Sequence, residues 1–228
     1  MGSVIFVSGI DTGVGKTVVT GLLARFLLKR GVAVATVKLV QTGNVGFSED
    51  LDEHRRFMGK TLPEDAEGLT APQIFAFPAS PHLAAKREKR SVDADKIRSA
   101  VATLAGRYDV VLAEGAGGLA VPLTEDLLTI DLAAAEKWPL ILVASGKLGS
   151  LNHTILSLEC AAARKLPVRG IVFNYAPDAD PEIDLDSCGM MKKYLARYGF
   201  PPAVVRVPEI KDDFPEPDFT PLFPEVDK

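Results

Sequence analysis

Short runs of β-branched and other apolar residues alternate along the chain with longer segments whose apolar residues recur every three or four positions. The first pattern reads as buried strands and the second as helices packed along one face. Apolar runs at 4–8, 32–37, 109–113, 139–145, 168–173 and 203–207 predict six strands. Helical spacing predicts helices near 16–30, 50–58, 94–105, 127–137, 151–165 and 187–199. In the first of these Val18, Val19, Leu22, Leu23, Phe26 and Leu27 share a face, and Gly31 stops it. Strands alternating with helices predict right-handed βαβ units and an α/β fold: a mostly parallel β-sheet with helices on both faces, in one domain over 1–228. Residues 60–82 are proline-rich and read as a surface or substrate loop. The alternating charges of 86–90 read as a solvated face, and the proline-rich acidic tail from Phe214 to 228 as a surface extension. No internal repeat or long linker interrupts this pattern.

Chemistry enters where the strands end. The first strand runs into Gly9-Ile10-Asp11-Thr12-Gly13-Val14-Gly15-Lys16-Thr17 and then a helix, the context of a phosphate-binding loop. Glycines let the loop's N–H groups converge on phosphate oxygens, and the helix points its positive end at the same place. Lys16 would neutralise the terminal phosphates, and the Thr17 hydroxyl would be a magnesium ligand. The spacing is a variant: five residues separate Gly9 from Gly15, against the usual four, and Asp11 stands where one branch of related ATPases carries a second lysine. Lys38 and Thr42 follow the second strand, Glu114 and Gly115 to Gly118 the third, Lys147 to Asn152 the fourth, and Asn174 the fifth. Glu114 is placed for a magnesium-directed carboxylate, a tight turn with an exposed acid being the less economical alternative. Asp50 reads equally well as a helix N-cap. All of these positions share one edge of the sheet, where open parallel sheets bind ligands. The residues therefore point to a nucleoside triphosphate with magnesium. Lys38 adds a charge beyond what hydrolysis needs, which suggests an anionic acceptor and phosphoryl transfer.

Composition narrows the class. The 228 residues are 47% hydrophobic, enough for a sizeable core, and the net charge of −4 gives no basic excess for nucleic acid. Cys160 and Cys188 form no metal or disulfide framework and suit a reducing cytoplasm. Apolar runs such as 140–144 are too short to span a bilayer, and the chain enters its first strand at once, so neither a membrane span nor a signal peptide is expected.

Taken in order, the 9–17 loop, Lys38 with Gln41-Thr42-Gly43, Pro78-Ala79-Ser80-Pro81-His82, Glu114-Gly115-Ala116-Gly117-Gly118, Lys147 to His153, and Asn174 resemble the dethiobiotin synthetases over almost the whole chain. The resemblance implies a P-loop NTPase-type sheet and a defined reaction. Diaminopelargonic acid takes up CO2 as a carbamate, ATP phosphorylates it, and the second amine closes the ureido ring, releasing ADP and phosphate. It implies catalytic roles for Lys38, Lys16 and Thr12. Nucleotide would be bound by Gly13, Val14, Gly15, Lys16, Thr17, Val18, Asp50, Glu114, Gly115, Ala116, Gly117, Asn174 and Pro208, with Asn174 reading adenine. Thr17, Asp50 and Glu114 would hold Mg2+, with Asp52 a competitor for Asp50. Substrate would meet Thr12, Lys38, Thr42 and Gly118. A homodimer is implied, in which Gly149, Ser150, Leu151 and Asn152 of one copy bind the distal carboxylate at the other. Gly13 and Ile10 depart from residues frequent in the family. His54, His82 and His153 read as packing or hydrogen-bonding residues, with His82 nearest substrate. Rival readings are a partition or septum-positioning switch ATPase and an amidase of the cobyrinic-acid type. Asp11 and the acidic balance weigh against the first, and the absence of a nucleophile-like cysteine against the second.

Overall fold

The computed structural model describes residues 1–177, 180–210 and 214–225. The first strand, β1 (Ser3–Gly9), is buried from Ile5 onward. It delivers the chain into α1 (Lys16–Lys29), β2 (Val34–Lys38), a two-residue β3 (Gln41–Thr42) and α2 (Glu49–Met58). Then come α3 (Pro63–Ala66), β4 (Ile74–Phe75), α4 (Pro81–Arg87), α5 (Ala94–Arg107), β5 (Val110–Gly118), α6 (Thr129–Ala135) and β6 (Leu140–Ser145). The chain continues through α7 (Ser150–Ala163), β7 (Val168–Asn174), α8 (Pro181–Arg197) and β8 (Val204–Val207). Six strands form one sheet in the order β2-β5-β1-β6-β7-β8, and every neighbouring pair is parallel. The α/β expectation is met. Two adjacent interior strands, β1 and β5, are completely buried over Ile5–Val7 and Val111–Glu114, so their carboxyl ends open along one sheet edge.

Two features carry that edge into a site. Lys38, the last residue of β2, pairs in register with Glu114, midway along β5. Across from them α2 lies close on α1: a Cβ on Gly21 would stand 2.7 Å from the Phe57 ring. The glycine lets the two helices approach, and that approach brings the first turn of α2 over Thr17.

Three segments differ from the sequence expectation. The stretch 60–82 holds α3, β4 and the start of α4, and β4 pairs in parallel with β3. These elements are too short to show periodicity. Local bonds set them instead, such as Asp65 accepting from Leu62 N at 2.9 Å. The eighth helix begins at Pro181, ahead of the expected 187, with Asp180 as its N-cap. Residues 181–186 are exposed or half-buried, so no apolar stripe announces that first turn.

The tail also differs. It is irregular apart from one 3-10 turn (Thr220–Leu222), but it is not merely a surface extension: Phe219, Leu222 and Phe223 are completely buried. Prolines suppress regular structure there without removing the drive to bury aromatic rings. Phe219 meets Phe26 of α1 edge-on at 5.5 Å, and Phe214 meets Phe57 of α2 at 4.6 Å. Residues 226–228 lie outside the described residues. Because Phe214 is half-buried and joins an aromatic pair, Phe214→Ala is expected to cost about 1–2 kcal/mol in urea unfolding. Among the described residues no helix is long and apolar enough to cross a membrane.

Candidate active site

The phosphate loop leaves β1 and enters α1 through Gly13 and Gly15, both left-handed with φ of 73° and 88°. Gly15 is the N-cap of α1, so the following N–H groups face outward as an anion site. Its missing side chain also makes room: a Cβ there would lie 2.0 Å from Asn174 Nδ2, which donates to Val14 O at 3.1 Å. Asn174 at the end of β7 is thereby tied to the loop, and Pro208 follows Val207, the residue that pairs with Asn174 across β7 and β8.

Beside the loop the charged groups converge. Thr17 Oγ1 donates at 2.8 Å to Asp50 Oδ1 and lies 3.1 Å from Glu114 Oε1. The Lys38 ammonium sits 2.6 Å from Asp50 Oδ2 and 2.7 Å from Glu114 Oε1, and it also donates to Gly115 O at 3.1 Å. Asp50 is not the N-cap of its helix. Ser48 takes that role, its Oγ accepting from Leu51 N, and this frees the Asp50 carboxylate for the cluster. Asp52 is exposed and outside it. Glu114 is fully buried rather than on a turn.

These groups floor a cavity of about 370 Å³ lined by Thr12, Gly13, Gly15, Lys16, Thr17, Lys38, Thr42, Asp50, Glu114, Ala116 and Gly117, all expected, and by Val40 and Gln41, which were not. Val14 and Val18 pack toward the core instead. Gly118 lines an adjoining groove of about 480 Å³ with Ile10, Thr12, Leu156 and Cys160. The 149–152 turn at the start of α7 does not line the cavity, and neither does His82. His82 lies on α4 in a separate groove with Lys86 and Arg90.

His54, expected as a packing or hydrogen-bonding residue, does hydrogen-bond, and it does so to the site itself. Its ring is fully buried, with Nε2 at 2.7 Å from Glu114 Oε2. The available signal was helical spacing, since His54 is four residues from Asp50 and shares its face of α2. Gln41 was missed; it accepts from the N-cap Ser48 at 2.6 Å and so links β3 to α2.

The electrostatics follow from crowding opposite charges under little solvent. Burial works against the Glu114 carboxylate, but the Lys38 charge and the His54 hydrogen bond outweigh it and hold the group well below the usual carboxylate range. Burial likewise opposes the Lys38 ammonium, and Glu114 and Asp50 overcome it, raising its pKa. Lys16 lacks so close a partner. Burial, then repulsion from Lys38, lowers it from 10.5 to about 8. Lys16 is charged below that value and neutral above it, so MgATP affinity measured without the amine substrate is expected to weaken as pH rises through about 8. Calorimetry between the neutral range and pH 9 checks this, and a flat profile would contradict it.

Hard oxygens from Thr17, Asp50 and Glu114, meeting within hydrogen-bond distance, suit a magnesium ion that draws its remaining ligands from phosphates and water. The Lys38 ammonium bridging the same carboxylates marks the place as one built for cations. Among the described residues no group of three or more His, Cys, Asp or Glu could hold a metal unaided.

Comparison with known proteins agrees with this geometry. A family model described as an AAA domain matches residues 3–212. A ParA family ATPase from Chlorobium tepidum superposes with a TM-score of 0.52 at 16% identity, covering 93% of this chain and 87% of its own, a likeness of fold alone. The ATP-dependent dethiobiotin synthetase of Chlorobaculum tepidum is 50% identical, over 90% of this chain and 86% of its own. That of Pasteurella multocida is 44% identical, over 87% and 93%. A phosphate loop, a buried Lys38 between two carboxylates and relatives alike over nearly their whole length lead to one conclusion: the chain belongs to the ATP-dependent dethiobiotin synthetase family.

Proposed function

We propose that the chain carboxylates and ring-closes 7,8-diaminopelargonic acid with CO2, using ATP and Mg2+, to give dethiobiotin, ADP and phosphate. The observation that carries the reading is the Lys38 ammonium, buried at the floor of the phosphate-binding cavity. Hydrolysis alone needs one lysine, Lys16, at the terminal phosphate; a second buried cation beside it suits an anionic acceptor such as a carbamate. In this reading Lys38 holds the carbamate and stabilises charge as the phosphoryl group moves to it, and Lys16 bridges phosphate oxygens. Thr12 and Thr42, on the cavity wall, hydrogen-bond the nitrogen end of the substrate. Thr17, Asp50 and Glu114 hold magnesium, which when bound neutralises phosphate charge. The second amine then attacks the carbamate carbon, displacing phosphate and closing the ring. Holding three reactants in one cavity supplies much of the rate.

Asn174 and Pro208 flank the adenine end in this reading. The chain pairs as a homodimer, with the 149–152 turn of one copy serving the substrate carboxylate of the other. Support comes from the groove beside Gly118 and from Leu148 and Leu156, exposed at 84% and 55%. The free thiols of Cys160 and Cys188 support a cytoplasmic setting. Phosphate release from MgATP is expected to require both the diamine and bicarbonate, and to be indifferent to DNA, lipid or glutamine. Steady release without the diamine would overturn the reading.

A further inference from the structure

Behind Glu114 a line of hydrogen bonds runs into the protein, and its direction is fixed from the far end. Arg55 binds Asp65 through Nε at 2.8 Å and Nη2 at 2.6 Å, and its Nη1 lies 2.7 Å from Thr36 Oγ1. A guanidinium only donates, so Thr36 Oγ1 accepts there and keeps its single proton for another partner. Two acceptors stand near: His54 Nδ1 at 3.1 Å, and Met58 Sδ at 4.0 Å, too far for a useful bond. The proton therefore points to Nδ1, which must accept. The ring's own proton is then on Nε2, 2.7 Å from Glu114 Oε2. The opposite tautomer would set a bare nitrogen lone pair against a carboxylate oxygen. Thr36, His54 and Glu114 are all completely buried, so water supplies no substitute partner.

We propose that His54 is a positioning residue for the reaction: locked by Thr36 with its proton on Nε2, it holds Glu114 Oε2 and leaves Oε1 alone facing Thr17 and Lys38. A carboxylate free to rotate could turn both oxygens to the Lys38 ammonium, closing an ion pair that a metal ion must then compete with. The hydrogen-bond direction stands on geometry; its use in catalysis rests on the synthetase reading. Holding a metal-directed carboxylate by its second oxygen is worth about 10–100-fold in metal affinity or activity.

The test has two parts. The chain has three histidines, so ring-nitrogen correlation spectra of the isotope-labelled protein, without nucleotide, can be assigned by the signals lost in His54→Gln. At neutral pH His54 is expected to show a protonated Nε2 and an accepting Nδ1, and Thr36→Val is expected to disturb that pattern. A protonated Nδ1 would overturn the proposal whatever reaction the enzyme performs. The second part measures nucleotide affinity and turnover at stepped magnesium concentrations. His54→Phe is expected to raise the magnesium needed for half-maximal binding about 10–100-fold. His54→Gln, whose Nε2 can donate in the same place, is expected to restore most of it. Equal losses in both variants, or no shift in His54→Phe, would reduce His54 to a packing residue. Should His54→Phe fail to fold, Thr36→Val carries the comparison, because it removes the lock and leaves the ring. An unchanged magnesium requirement in that variant overturns the proposal.

Discussion

Lys38→Ala is expected to lower turnover by about 10²–10³-fold or more and to destabilise the protein by about 3–5 kcal/mol. The two losses share one cause. Lys38 is 5% exposed and lies within 2.7 Å of both Asp50 and Glu114, so its removal strands a fully buried carboxylate beside a second one. A surface lysine would cost little, because solvent would screen what remained. The pH dependence separates this account from simple loss of packing. In the wild type Glu114 is held below its ordinary value of 4.5, so its contribution to stability is full above that value and fades as pH falls. Without Lys38 that contribution is largely gone at all pH, and the gap between variant and wild type is expected to narrow in acid. Urea unfolding at neutral pH and below pH 4.5 measures it. A constant gap would show that the charge was not the cause.

Gly15→Ala is expected to weaken MgATP binding roughly 100-fold, an effect of about 2–3 kcal/mol. About 1–2 kcal/mol comes from forcing a side chain into left-handed backbone, here φ 88°. The rest comes from the new Cβ, which would stand 2.0 Å from Asn174 Nδ2 and break its bond to Val14 O. Gly13→Ala is the internal control. Its φ is 73°, but nothing lies within 4 Å of an added Cβ, so only the backbone strain is expected. Equal losses in the two variants, read as dissociation constants by calorimetry, would mean that the contact with Asn174 contributes nothing.

Much of this was written in the chain as local pattern. The six strands, the phosphate loop and the carboxyl-end placement of Lys38 follow from apolar runs broken by glycine and charge, whereas β5 runs on through Glu114 to Gly118. Both Asp50 and Asp52 fit a helix start, and the family-like offset to Gly59 favours Asp50; its carboxylate accepts from Thr17 at 2.8 Å, while Asp52 is exposed. What stayed hidden depends on contacts between segments far apart. Asn174 against Gly15, Phe57 against Gly21, and His54 between Thr36 and Glu114 are set by how elements pack, and no short window holds both partners. The tail hid for another reason: its prolines resemble those of a loop, while Phe219 and Phe223 complete the core beside Phe26.

The most direct measurement of the central claim is mass spectrometry of the product formed from MgATP, 7,8-diaminopelargonic acid and isotope-labelled bicarbonate. The account requires one labelled carbonyl carbon in a ring-closed product, with one phosphate released for each molecule formed. Phosphate released without label entering the diamine would contradict it.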